Sequence, residues 1–250
     1  SLSQGGVGRN IADSLARLLG TPPLFLSAIG DDGLAAVLEP RQSTPLTIHA
    51  VRRVPGCRTA TYAAMHTSDG EMQAAVADME VLAHITPGYL RTHADALCLA
   101  PLVVIDANLP AETLQWIASG DVCGKGIAMR APLWLEPVSV PKAHAAVVAL
   151  RGDLSPISLV SPNEDELLAM TEALQGNGVY ADDTNPSADS STAHMDGSDD
   201  RIRGAAAALV RAGVLHVIVT RGAAGVLWAR RAEDGIGVTF EEMPALRAAV

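Results

Sequence analysis

Apolar positions along this chain follow two periods in turn. Ile11, Leu15, Leu18 and Leu19 recur at helical spacing behind the turn Gly5-Gly6-Val7-Gly8-Arg9-Asn10. This predicts a helix with Asn10 at its entrance and Gly20 as its stop. Leu24–Ile29 reads as a short buried strand closed by the turn Gly30-Asp31-Asp32-Gly33. Residues 46–77 carry no helical period. Their runs Leu46–Val54, Thr59–Thr67 and Glu71–Ala77 read as strands, the last two joined at Ser68-Asp69-Gly70 as a hairpin. Alternation there sets Thr59 and Thr61 on one face and Tyr62 on the other. Such a β-only insert, over residues 46–80, suits a lid over a binding cleft.

From residue 96 the strand and helix patterns alternate. Leu102–Ile105, Leu133–Leu135, Ile157–Val160 and His216–Val219 are strand candidates; helices are expected from Pro110, from Pro162-Asn163 and over Arg201–Arg211. Short apolar strands each followed by a helix define an α/β fold, a mainly parallel sheet covered by helices on both faces. Residues 175–200 hold Gly, Asn, Asp, Ser and Thr with almost no large apolar side chain, the composition of a disordered insertion.

Composition narrows the function. With 18 Lys and Arg against 28 Asp and Glu, the net charge of −10 disfavours nucleic-acid or anionic membrane partners. An acidic protein still binds phosphates through a local pocket of N–H groups. Three cysteines, Cys57, Cys98 and Cys123, are odd in number and far apart, which suggests no disulfide framework and a reducing, cytoplasmic setting. The seven histidines include no His-Glu-x-x-His pair, and no Gly-x-Ser-x-Gly elbow occurs.

Four segments could carry chemistry. Gly5, Gly6 and Asn10 form either a helix-start turn or a turn open to an oxygen-rich ligand; the dinucleotide fingerprint fits poorly, with Ile11 at the third glycine. Asp106-Ala107-Asn108-Leu109-Pro110 ends a strand at the usual ligand edge of an open sheet, and Asp106 or Asn108 could equally cap the helix. Asn163-Glu164-Asp165-Glu166 is either acidic helix-start chemistry or a ligand site. Thr220-Arg221-Gly222-Ala223-Ala224-Gly225 is a turn whose glycines allow positive φ or close approach of a ligand. Glu136, at a strand end, reads as a cleft residue or a cap.

In order along the chain, these segments resemble the signatures of the ribokinase-like (PfkB) family of sugar and nucleoside kinases, and within it the pseudouridine kinase branch. Asp-Ala-Asn-Leu-Pro at 106–110, Leu-Trp-Leu-Glu-Pro-Val-Ser at 133–139, Arg-Thr-Ala-Thr-Tyr at 58–62 and Ala-Asp-Met-Glu at 77–80 carry the likeness to that branch. The resemblance implies one ribokinase-like domain over 1–250 with a small β lid, incomplete at both ends. It implies ATP and Mg²⁺ as cofactors and a small-molecule sugar or nucleoside substrate. Gly5, Gly6, Asn10, Asn108 and Thr61 would face the substrate, Asn163, Thr220, Gly222 and Gly225 the nucleotide, and Glu166 the metal. Arg221 stands where the family tolerates many residues, so no phosphate clamp is assigned to it. The implied reaction is transfer of the ATP γ-phosphoryl group to a primary hydroxyl, foremost that of pseudouridine. Another sugar or ribonucleoside kinase, or a degenerate binding protein, are the alternatives.

Two family features are missing from the sequence. No strand precedes the Gly-Gly turn, and the second signature, Gly-Ala-Gly-Asp, which carries the general base, is absent. A chain beginning at Ser1 without Met is therefore expected to be a piece of a longer protein, inactive alone, with the catalytic Asp lying beyond Val250. The family also contains lid-mediated homodimers and fusions to a glycosidase domain.

Overall fold

The computed structural model describes residues 3–38, 50–67, 72–122, 131–176, 197–233 and 235–246. They form two compact units, divided between Ala96 and Leu97. The hairpin tip at 68–70, the beginning of the 46–54 run and residues 177–196 of the 175–200 segment lie outside the described residues. The ends of that last segment are helical. No helix among the described residues is long and apolar enough to cross a membrane.

In the first unit, α1 (Val7–Leu19) has its N-cap at Gly6, four residues before the expected cap Asn10. Gly6 is at φ 102, and Gly20 ends the helix in the left-handed conformation. The helix buries Ala12 and Ala16, while Leu18 and Leu19 are 82% and 67% exposed. β1 (Ser27–Ile29) is half the length of the strand read from Leu24–Ile29, and it pairs in parallel with β2 (Val51–Arg53). β3 (Thr61–His66) and β4 (Met72–Asp78) form a separate antiparallel hairpin in the register Thr61↔Asp78. A 3₁₀ turn at Glu80–His84 leads to α2 (Pro87–Arg91), whose N-cap Thr86 accepts the Tyr89 N–H at 3.3 Å. α3 (Ala94–Leu99) spans the division between the units.

In the second unit, the elements follow as β5 (Val103–Asp106), α4 (Ala111–Ala118), β6 (Leu133–Glu136), α5 (Val140–Ala149), β7 (Leu159–Val160), α6 (Glu164–Gly176), α7 (Gly197–Arg211), β8 (His216–Thr220), β9 (Val226–Arg231) and β10 (Val238–Met243). They build a six-stranded sheet in the order β10-β9-β8-β7-β6-β5. Strands β5 to β8 are parallel, and β8, β9 and β10 run antiparallel.

Successive crossovers advance along this sheet in one direction. Right-handed connections of that kind set their helices on the same face. Accordingly α4 packs on α5, α5 on α6 and α6 on α7. That face is fully buried through Ile105, Leu135, Val160, Val217 and Val219, against Leu167, Met170, Leu174 and Leu209. Many alanines, among them Ala143, Ala146 and Ala206, stand in for the missing aromatics and leave little side-chain bulk between these elements. The opposite face (Val104, Trp134, Ile218, Trp228) is only half-buried within the unit, so the expected cover on both faces is unequal. Cys98 is disulfide-bonded, against the sequence expectation, and Cys57 is a free thiol. Distance along the chain puts no lower bound on distance in space, and an odd count still admits one pair.

Candidate active site

Parallel strands leave their carboxyl ends on one edge of the sheet, where each chain turns toward a helix. In the second unit that edge collects Asp106 from β5, Glu136 from β6, Ser161 and Asn163 after β7, and Thr220 from β8. Asp106 and Glu136 are register partners, and the Ala107 N–H donates to the Glu136 carbonyl at 2.9 Å. The Asp106 carboxylate accepts the Asn108 N–H at 3.0 Å, forming a local turn that leaves Asn108 half-buried on the edge.

Glu136 is held from two sides. One oxygen accepts the N–H of Val138 at 3.3 Å, where Val138, at φ 72, is the centre of a tight turn closed by the Ser139 N–H on the Pro137 carbonyl at 2.8 Å. The other accepts the Ser161 hydroxyl at 2.6 Å, and Ser161 in turn accepts the Trp134 indole N–H at 2.7 Å. The sequence left Glu136 open between cleft and cap. Ser161, which bonds Glu136 directly and links it to the Trp134 indole, belongs to no motif; only the register of β6 against β7 brings it to Glu136.

Asn163 and Glu166 form a reciprocal capping box at the start of α6. The Asn163 N–H donates to Glu166 Oε2 and the Glu166 N–H donates to Asn163 Oδ1, each at 2.9 Å. The acidic helix-start reading of this segment is therefore realised. Glu166 is only 6% exposed. Burial pushes its carboxyl pKa up, the Asn163 N–H opposes this, and the charges of Glu136 and Asp165 push it further up. A cation among these carboxylates would relieve the strain. Mg²⁺, which keeps much of its water and takes one or two carboxylates beside substrate phosphates, fits that donor set. Among the described residues no cluster of three or more His, Cys, Asp or Glu could hold a metal by itself.

The Thr220 segment is joined to this box. Thr220 pairs with Asn163 across a parallel bridge, and its N–H donates to the Pro162 carbonyl at 2.9 Å. The two glycines beyond it differ. Gly222, at φ 53, is exposed, with nothing within 4 Å of where a Cβ would stand. Gly225, at φ 87, lies against the backbone at Met243–Ala245, where a Cβ would fall 2.1 Å from the Met243 carbonyl oxygen. Gly225 thus has a packing reason of its own. Arg221 is turned away from a clamp position: its Nε donates to Glu164 at 2.8 Å and its other nitrogen pairs with Asp199.

The remaining candidates belong to the first unit. Gly6 provides the backbone conformation that starts α1, and Gly5 has open space on its Cβ side. Asn10 does not cap the helix as expected. It lies inside the first turns of α1, its N–H donating to the Gly6 carbonyl at 2.9 Å, and its side chain is exposed. Thr61 is exposed on the hairpin opposite Asp78, whereas Thr59 is buried outside it. The expected shared face therefore does not form. The Thr59 hydroxyl donates to Asp32 at 2.6 Å and accepts the Gly30 N–H at 3.2 Å.

A capped Asn-x-x-Glu helix start beside a Thr-x-Gly turn, on the carboxyl edge of a parallel sheet, agrees with what comparison of the whole chain finds. The family described as pfkB family carbohydrate kinase matches residues 1–248, and the chain belongs to this family. It is similar to a pseudouridine kinase of Arabidopsis thaliana, 30% identical over 225 residues, covering 89% of this chain and 55% of that one. It is also similar to a pseudouridine kinase of Escherichia coli (strain K12), 35% identical over 164 residues, covering 65% and 48%. The chain thus spans about half the length of these curated relatives. Among solved structures, a carbohydrate kinase from Agrobacterium tumefaciens is 25% identical over 97% of this chain and 66% of its own, with a TM-score of 0.58. The fold is shared with a ribokinase of Arabidopsis thaliana complexed with ribose and ATP, 18% identical over 98% and 68%, with a TM-score of 0.64.

Proposed function

We propose that the protein to which this chain belongs transfers the γ-phosphoryl group of ATP to the primary hydroxyl of a nucleoside, with pseudouridine the foremost substrate. The observation that carries this reading is the direct tie between the Asn163–Glu166 box and Thr220, which unites the two phosphate-side motifs on one sheet edge.

In this reading Asn108 binds the sugar, with Gly5, Gly6, Asn10 and Thr61 as further substrate contacts. Backbone groups at Gly222 and the Thr220 hydroxyl bind the nucleotide phosphates, with Asn163 and Gly225 shaping that region. Glu166, with Glu136 in electrostatic reach, would hold Mg²⁺, which supplies charge neutralisation at the phosphates when bound. The acceptor oxygen attacks the γ-phosphorus, the bond to the bridging oxygen breaks, and ADP leaves. The hydroxyl proton passes to a base that is not assigned to any of residues 1–250. Positioning and charge stabilisation provide most of the rate.

The hairpin supports a second copy as partner. Ala63, Met65, Ala74 and Val76 share one face, on which Met65 is 64% and Val76 74% exposed. A two-stranded sheet is marginal unless such a face is covered.

The test measures product mass and kcat/KM with ATP against pseudouridine, uridine, adenosine and ribose, using the full-length protein. Pseudouridine is expected to lead the panel; a clear preference for ribose or adenosine moves the assignment to another kinase of the family. Residues 1–250 alone are expected to give turnover several orders of magnitude lower, since they lack the Gly-Ala-Gly-Asp base and anion cradle. Full-rate turnover by them would refute that division of labour.

A further inference from the structure

The turn after β8 sits in an unusually acidic neighbourhood. Glu164, Asp165 and Glu166 open α6, Asp199 and Asp200 open α7, and Glu136 ends β6. A polyphosphate approaching Thr220 and Gly222 would meet this negative field. Arg221 pairs with two of these carboxylates, its side chain only 13% exposed. It bonds Glu164 at 2.8 Å, pairs with Asp199, and its own N–H closes the turn on the Gly225 carbonyl at 2.8 Å. Glu164 lies between the two members of the capping box, so the same side chain fastens the turn to the first turn of α6 and to the start of α7.

We propose that Arg221 is a positioning residue for the nucleotide: by holding Glu164 and Asp199 it withdraws two carboxylates from the phosphate path and keeps the Thr220–Gly222 turn in register with Asn163 and Glu166. Arg221 itself does not touch the phosphates. The inference rests on the kinase reading above and goes beyond it by giving the loop residue between Thr220 and Gly222 an electrostatic task.

Removal of the guanidinium should then penalise ligands in proportion to their phosphate charge. In the full-length protein, Arg221→Met is expected to weaken ATP binding by about tenfold, the scale of two uncompensated carboxylates at a protein surface. ADP should lose less and AMP least, by calorimetric titration. The penalty should shrink as salt is raised. Adding Glu164→Gln and Asp199→Asn to Arg221→Met should restore ATP affinity, because the repelling charges are gone. Equal losses for ATP, ADP and AMP, or no recovery in the triple variant, would overturn the proposal in favour of a packing role. Should Arg221→Met not fold, Glu164→Gln/Asp199→Asn in the native background serves instead. It should tighten ATP binding more than AMP binding, and unchanged affinities would overturn the proposal. Wild-type protein that binds no ATP would remove the kinase reading itself, whereas normal ATP binding with no effect of any variant removes this inference alone.

Discussion

Thr59 carries three hydrogen bonds at one buried position. Its hydroxyl donates to Asp32 and accepts from Gly30, and its N–H donates to Asp32 at 3.0 Å. The two bonds that Thr59 donates to Asp32, hydroxyl first, hold the Asp32 carboxyl pKa below its ordinary value. Thr59→Val keeps the shape but leaves the Gly30 N–H without its acceptor, so a loss of about 1–3 kcal/mol is expected in urea denaturation. Thr59→Ser should recover most of it. Glu166 behaves in the opposite sense. A carboxyl that binds its proton more tightly when folded contributes most to stability below the ordinary glutamate pKa, about 4.3. That contribution is lost as pH rises through the raised value. Glu166→Gln keeps an acceptor for the Asn163 N–H without the buried charge. In Mg²⁺-free buffer its melting temperature should exceed that of wild type near neutral pH, with the gap closing as pH falls toward about 4.

At the scale of elements, the turn after β8 separates two kinds of glycine. Gly225→Ala drives a methyl into the backbone at Met243–Ala245 and should cost several kcal/mol, with loss of the β9–β10 pairing by hydrogen exchange. Gly222→Ala meets open space and should cost only the left-handed strain of about 1–2 kcal/mol, read by the same denaturation curves. As members of a turn motif the two glycines are equivalent, because such a motif does not say which backbone lies opposite. The parallel strands were legible from their apolar runs, and α4 and α6 from Pro110 and Pro162-Asn163. The first four residues of α1 were not legible because Gly8, a poor helix former, lies inside it. The Trp134–Ser161–Glu136 chain was not legible, since strand register is a tertiary property.

For the whole molecule, the two units differ in how much of their apolar surface they cover themselves. The second buries one face of a six-stranded sheet thoroughly; the first leaves the Met65 and Val76 face of its hairpin open. A shared hairpin between copies predicts that Val76→Lys with Met65→Lys converts a dimer to a monomer by light scattering, with unchanged circular dichroism. A wild-type protein already monomeric at the same concentration would refute it. Class and architecture were readable here because α/β alternation and motif order survive at low identity. The fate of the hairpin face was not, since exposure depends on neighbours that the alternating pattern does not name.

Val138 holds φ 72, a region that branched side chains seldom occupy. Val138 is the central residue of a tight turn closed by the Ser139 N–H on the Pro137 carbonyl at 2.8 Å, and that turn also presents the Val138 N–H to the Glu136 carboxylate. An engineer seeking heat tolerance would find it cheaply at this spot: Val138→Gly should release about 1 kcal/mol or more, visible as a higher melting point. The same relaxation would let Glu136 wander, so, on the proposed kinase reading, the hardier variant of the full-length protein should show a lower kcat.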